Sequence, residues 1–242
     1  MFDRNEFEAQ KRKAIEGLAE DKALQGRACD LIVHSSLHFY AYQRTWMGLP
    51  IIQLPEDILV DQELFWRTQP DVIIETGVAW GGSVAFHASM MALRGHGLVI
   101  AVDRLLPVHV RELIMSLPCA KHIHLIEGNS ASQRVRKEVE KKILPDQSVA
   151  LFLDSNHAHE HVLAELRSLS QFVTRDQYVS VYATAIEWLP KKEDGKPWGP
   201  GSNPHTAIKQ FLSECPWFVV DKEENQKSLV SYYAGGRLKR IR

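Results

Sequence analysis

The segment Asp71-Val72-Ile73-Ile74-Glu75-Thr76-Gly77-Val78-Ala79-Trp80-Gly81-Gly82-Ser83 constrains the fold more than any other stretch of the chain. Val72, Ile73 and Ile74 form an unbroken β-branched run, which predicts a central parallel strand covered on both faces; a strand with one wet face alternates apolar and polar residues instead. Glu75 marks its end. Gly77, Gly81 and Gly82 then let the backbone turn sharply and approach a ligand without Cβ clashes, and a helix is expected from Ser83 to Leu93. The spacing Glu-x-Gly-x-x-x-Gly-Gly departs from the Gly-x-Gly-x-x-Gly of dinucleotide sites and lacks the Lys-Ser/Thr of a phosphate loop.

The same strand–helix rhythm continues downstream. Leu98 to Asp103 reads as a second strand, ending in a carboxylate 28 residues beyond Glu75. Residues 123–128, 149–154 and 178–182 read as the next three strands, with helices around Val135, over His159 to Phe172 and over Pro204 to Glu214. Residues 217–220 and 229–233 are expected to close a seven-stranded sheet. Strands alternating with helical crossovers imply a mostly parallel sheet with helices on both faces, whose ligands bind beyond the carboxyl ends of the strands. Glu75, Asp103, Asp154 and Ala183 fall at those ends. Upstream, residues 5–27 read as an amphipathic outer helix, and Asp57 to Thr68 as the helix before the first strand. The expected organisation is an N-terminal helical extension over residues 1–70 that covers the pocket, followed by an α/β domain over 71–242, all in one globular unit.

Composition narrows the function. A hydrophobic content of 45% and a formal net charge of −1 give an ample core and no electrostatic pull toward nucleic acid. No apolar run reaches the roughly 20 residues of a membrane helix and the N-terminus has no signal-peptide core, so the expected compartment is the cytoplasm. Cys29, Cys119 and Cys215 are widely spaced and predict reduced thiols, neither a disulfide framework nor a zinc site. The terminal segment Arg237 to Arg242 is basic and reads as a solvated tail.

A second polar cluster, Asp154-Ser155-Asn156-His157-Ala158-His159-Glu160-His161, follows the fourth strand on the same sheet edge. Two uses compete there. Asp154 suits a hard cation such as magnesium that acidifies an acceptor hydroxyl, and His157 suits a general base that takes the proton directly. Ser155 or Asn156 also suits the cap of the next helix. A His/His/carboxylate iron site is disfavoured, because His157, His159 and His161 lie too close along one helical turn to converge on a single metal.

Taken together, ETGVAWGGS, LDSNHAHEHVLAEL and PWGPGSNPHTAIKQFL resemble the cephalosporin hydroxylase family, over roughly residues 37–241. The resemblance implies a Rossmann-like fold that binds S-adenosylmethionine (SAM), homo-oligomeric assembly, and O-methylation of a hydroxyl on a sugar-containing or antibiotic-like small molecule, assisted by Mg²⁺. It maps Glu75, Thr76, Gly77, Gly81, Ser83 and Asp103 to the cofactor site, with Asp154 at its edge as a metal ligand and His157 as the candidate base. SAM carries a charged amino-acid tail and a ribose, for which Glu75 and Asp103 are the expected partners. Trp198, Gly199, Gly201, Asn203 and Pro204 are expected to loop over the acceptor, with Trp80, Trp198 and Asn203 as substrate contacts and Tyr40 and Trp46 as further stacking surfaces.

Departures from the family pattern are equally specific. Alanine stands at 183, where relatives commonly carry an aspartate metal ligand, so metal affinity is expected to be weakened or lost; Glu187, Glu193 and Asp194 are the nearest alternatives in sequence. Trp80 replaces a histidine and Leu105 an acid. Three readings of Ala183 stay open: a variant disabled by engineering, a metal-independent enzyme using His157, or a non-catalytic SAM-binding homologue. The rival activity is an oxidative hydroxylase acting on a β-lactam-like molecule, which needs an iron or redox site.

Overall fold

The computed structural model describes residues 3–191 and 195–242. Two helices begin the chain, α1 (Arg4–Glu20) and α2 (Lys22–Ser36), where one amphipathic helix was expected. Asp21 divides them: its backbone N–H closes α1 on Gly17, and its side chain caps α2 by accepting from Leu24. A small antiparallel hairpin, β1 (Arg44–Trp46) and β2 (Leu49–Ile51), leads to α3 (Pro55–Thr68). The α/β unit follows as β3 (Val72–Thr76), α4 (Gly82–Arg94), β4 (Leu98–Asp103), α5 (Val108–Met115), β5 (Ile123–Glu127) and α6 (Gln133–Glu140). It continues with β6 (Val149–Leu153), α7 (His159–Leu169), β7 (Tyr178–Val181), α8 (Pro204–Glu214), β8 (Phe218–Val220), α9 (Lys222–Gln226) and β9 (Arg237–Arg240).

The main sheet has seven strands in the order β5-β4-β3-β6-β7-β9-β8, with β9 antiparallel to both neighbours and the others parallel. The expected seven-stranded, mostly parallel sheet is thus present. Alternate side chains of its buried central strands feed two cores. Ile73, Val99, Ala101 and Phe152 pack with Phe86 and Met91 of α4 on one face; Val72, Ile74, Ile100 and Leu151 pack with Val135, Leu166 and Phe211 on the other. The chain starts in the middle at β3, winds outward to β5, then returns to β6 on β3's other side. The crevice at that switch point, beyond the carboxyl ends of β3 and β6, is where such sheets take ligands.

Two expectations at the C-terminal end are corrected. Residues 229–233 form no strand; Ser231 and Tyr232 instead fold onto α3, where the Asp57 carboxylate accepts from the Ser231 hydroxyl and from the Tyr232 N–H at 2.9 Å. The segment read as a solvated basic tail supplies β9, an interior strand. Arg237 is completely buried because two acids of α3 neutralise it: its guanidinium lies 3.3 Å from Asp57 and 3.7 Å from Asp61.

Candidate active site

The glycine turn is fixed by what its neighbours require. A Cβ added at Gly77, where φ is +92°, would lie 2.1 Å from the carbonyl oxygen of Asp154, so the ends of β3 and β6 meet there with room only for hydrogen. At Gly82 it would lie 2.3 Å from the Pro50 carbonyl oxygen, which brings β2 across the start of α4. Asp103 braces the turn from β4: one carboxylate oxygen accepts from Val78 N–H at 2.7 Å and Ala79 N–H at 3.1 Å, the other from Leu105 N–H at 3.1 Å. Glu75 faces inward, taking a hydrogen bond from the Ser83 hydroxyl and pairing with His87 Nδ1 at 2.7 Å.

Above this turn opens a cavity of about 740 Å³. It is lined by Gly77, Val78, Ala79, Gly82, Ser83 and Asp154, by Ile32 of α2 and Leu37, Phe39 and Tyr42 beyond it, by Ile186 and Leu189, and by His157, Ala183, Lys196 and Trp198. From the N-terminal segment, Ile32, Ser36, Leu37, Phe39, Ala41 and Tyr42 thus line the cavity.

Among the expected site residues, Gly77, Ser83, Asp154, His157, Ala183 and Trp198 converge on this cavity. Asp154 has no hydrogen-bond partner for its carboxylate among the described residues. Enclosure, reinforced by the negative charges of Glu75 and Glu165, holds its carboxyl well above the usual carboxylate range. His157 stands edge-on to Trp198 with ring centroids 5.0 Å apart. Burial pushes its pKa down to about 4; Glu165 opposes that shift and Lys196 adds to it. Its imidazole is therefore neutral at physiological pH, the form that can accept a proton.

Other expected residues take different places. Thr76 is fully buried within β3 and does not line the cavity. Gly81 turns the chain into α4, with a left-handed backbone at φ 85°. Trp80 is 53% exposed outside the cavity. Asn203 is completely buried as the cap of α8, where its amide also donates to Glu187 at 2.6 Å and to the Gly199 carbonyl at 2.8 Å. Asn203 and Glu187 thus hold the loop that carries Trp198, and Glu187, which also accepts from Gly201 N–H at 2.9 Å, is occupied as a brace. Glu193 and Asp194 lie outside the described residues.

The residues do not fit a resident magnesium or iron. Ala183 presents a methyl group to the cavity, and Tyr182 before it is buried, donating to Asp61 at 3.2 Å. Among the described residues, no group of three His, Cys, Asp or Glu side chains is placed to hold a metal ion. The three neighbouring histidines diverge as expected: His159 binds Thr206 and Gln210 of α8, and His161 joins Ser130, Ser155 and Glu165.

The sequence reading missed the floor of the cavity, formed by Asp57, Tyr182 and Tyr233. Asp61 accepts from the Tyr233 hydroxyl at 2.8 Å, and Arg237 lies over the Tyr233 ring, 4.3 Å from its centroid. Burial pushes the Asp57 carboxyl up to about 7, against the lowering pull of Arg237, Ser231 and the Tyr232 N–H. The available signal was the spacing of Asp57 and Asp61, four residues apart and so on one face of α3.

The family model described as Rhamnosyl O-methyltransferase/CmcI matches residues 38–241. A rhamnosyl O-methyltransferase from Mycobacterium leprae (strain TN) is 29% identical over 179 residues, covering 71% of this chain and 72% of the relative. An apo structure of CmcI has a TM-score of 0.59 at 18% identity, covering 83% of this chain and 77% of its own. A CmcI structure with Mg and SAM has a TM-score of 0.58 at 17% identity, covering 83% and 78%. At those identities the structural likeness shows the shared fold. No helix among the described residues is long and apolar enough to cross a membrane.

Proposed function

Because the chain belongs to the rhamnosyl O-methyltransferase/CmcI family, we propose that it transfers a methyl group from SAM to a hydroxyl of a sugar-containing small molecule. The observation that carries this reading is that one cavity, at the sheet's switch point, joins the glycine turn to an unpartnered carboxyl group and a neutral imidazole. The close approaches at Gly77 and Gly82, the start of α4 and the size of the cavity suit the donor. SAM supplies a methyl group on a positively charged sulfur, open to attack by an oxygen as that oxygen loses its proton.

The chain's own residues then divide the work. The turn and α4 orient the donor, and the wall from α2 to Tyr42 encloses the acceptor and excludes water. His157 accepts the hydroxyl proton on a ring nitrogen, and the Asp154 carboxyl group holds that hydroxyl in line. An imidazole with a pKa of about 4 is a weak base, so most of the rate comes from positioning and not from proton affinity. No step uses a resident metal.

The test is calorimetric titration of SAM into the full chain with and without magnesium, followed by mass-spectrometric detection of methyl transfer to p-nitrophenyl α-rhamnoside. SAM binds in both buffers, and His157→Ala lowers turnover about 100-fold or more while leaving SAM affinity within about threefold. Absence of SAM binding in both buffers overturns the reading; unchanged turnover in His157→Ala overturns the role of that residue.

A further inference from the structure

Gln53 lies just after β2 and lines the cavity, yet it is only 3% exposed. Its amide has no hydrogen-bond partner among the described residues, and its Oε1 is sealed from water. Buried amides are nearly always paired, and an unpaired one destabilises the empty protein. A half-turn about the bond to the amide carbon brings either the oxygen or the NH₂ group to the cavity face. Gln53 is thus a polar group left incomplete at a ligand site.

Its position identifies the missing group. The segment Pro50–Gln53 crosses the first turn of α4, since a Cβ on Gly82 would lie 2.7 Å from Ile51 Cα. Gly82, Ser83 and Gln53 line the same cavity. The 13-residue helix α4 begins with N–H groups that have no helical acceptor, and such a terminus attracts a carboxylate. Glu75, the acid the sequence offers for a cationic partner, is already engaged by Ser83 and His87. Gln53 and the start of α4 together offer an acceptor and an anion site side by side.

We propose that Gln53 recognises the α-amino-carboxylate end of the methyl donor, its amide oxygen accepting from the ammonium while the carboxylate meets the first turn of α4. This rests on the reading of the donor as SAM. The probes are S-adenosylhomocysteine and 5′-methylthioadenosine, which keeps the adenosine and the sulfur but has no amino-acid end. In titration calorimetry, Gln53→Ala weakens S-adenosylhomocysteine about tenfold and leaves 5′-methylthioadenosine at its wild-type affinity. Gln53→Glu, which retains an acceptor oxygen, holds S-adenosylhomocysteine within about threefold of wild type. Circular dichroism melts confirm that both variants are folded. Equal loss for both ligands in Gln53→Ala, no loss of S-adenosylhomocysteine, or a Glu variant as weak as the Ala variant overturns the assignment. Failure of the wild-type chain to bind S-adenosylhomocysteine overturns the SAM reading itself.

Discussion

Gly77 and Gly95 share a backbone φ of +92° but differ in their surroundings. Substituting each by alanine separates conformational strain from close approach. At Gly95, just past α4, an added Cβ meets nothing within 4 Å, so Gly95→Ala carries only the penalty of a left-handed L-residue, about 1–2 kcal/mol. At Gly77 the same strain is joined by contacts of 2.1 Å and 2.5 Å to the Asp154 carbonyl and 2.9 Å to the Ser155 nitrogen. These are backbone atoms and cannot swing aside. Asp154 N–H donates to the Thr76 carbonyl at 2.8 Å, so relief requires parting β3 from β6 at the mouth of the cavity. Overpacking of this kind adds about 1–3 kcal/mol, for a total of about 2–5 kcal/mol, a large share of the stability typical of a domain. Urea denaturation of both variants reads the difference, and titration with SAM reads the damage to the site. Gly77→Ala is the less stable and loses SAM affinity, whereas Gly95→Ala keeps it. Equal stability losses in the two variants refute the argument that close approach, and not φ alone, demands glycine at 77.

Ala183→Asp adds a carboxylate to the cavity wall at a left-handed backbone position, φ 58°, that aspartate tolerates better than most residues. The variant shows saturable Mg²⁺ binding in calorimetry that the wild-type chain lacks; comparable Mg²⁺ binding by the wild type refutes the loss of the site. Asp57 gives a pH test. Its folded pKa of about 7 lies above the ordinary value of 3.8, so the folded state holds the proton more tightly. The stability this contributes is complete below about pH 4 and is lost as pH rises through about 7. Asn at 57 is neutral throughout, so the stability of Asp57→Asn relative to wild type climbs between those limits and levels off above them. A relative stability that stays flat in urea titrations from pH 4 to pH 8 contradicts the raised value.

Much of the fold was written locally. Val72 to Ile74, Leu98 to Val102 and Val149 to Leu153 are apolar runs whose turns, caps and flanking helices lie within a few residues, so short-range pattern suffices to find them. The polar groups at their ends were legible for the same reason: Asp154 and His157 sit beside a strand end, and strand ends of a parallel sheet face one crevice. What each group does there was less legible. Asp103 and Glu75 are both close to the turn as expected, but Asp103 is engaged by three backbone N–H groups and Glu75 by Ser83 and His87, partners that only the folded geometry selects.

The C-terminal strand shows why the remainder was hidden. Arg237-Leu238-Lys239-Arg240 has the composition of a surface tail, and charge alone argues against an interior strand. Its burial depends on Asp57 and Asp61, 180 and 176 residues earlier in the chain, and no window of sequence short enough to show periodicity contains both partners. Tyr232 and Tyr233 have the aromatic composition of a strand, yet the same pair of acids draws them into a turn: Asp57 takes the Tyr232 N–H and Asp61 the Tyr233 hydroxyl. One buried ionic cluster therefore reversed two assignments at once, turning a predicted strand into a loop and a predicted tail into a strand. Because Asp57, Tyr182 and Tyr233 also line the cavity, the interaction that joins the C-terminus to α3 also shapes the candidate site.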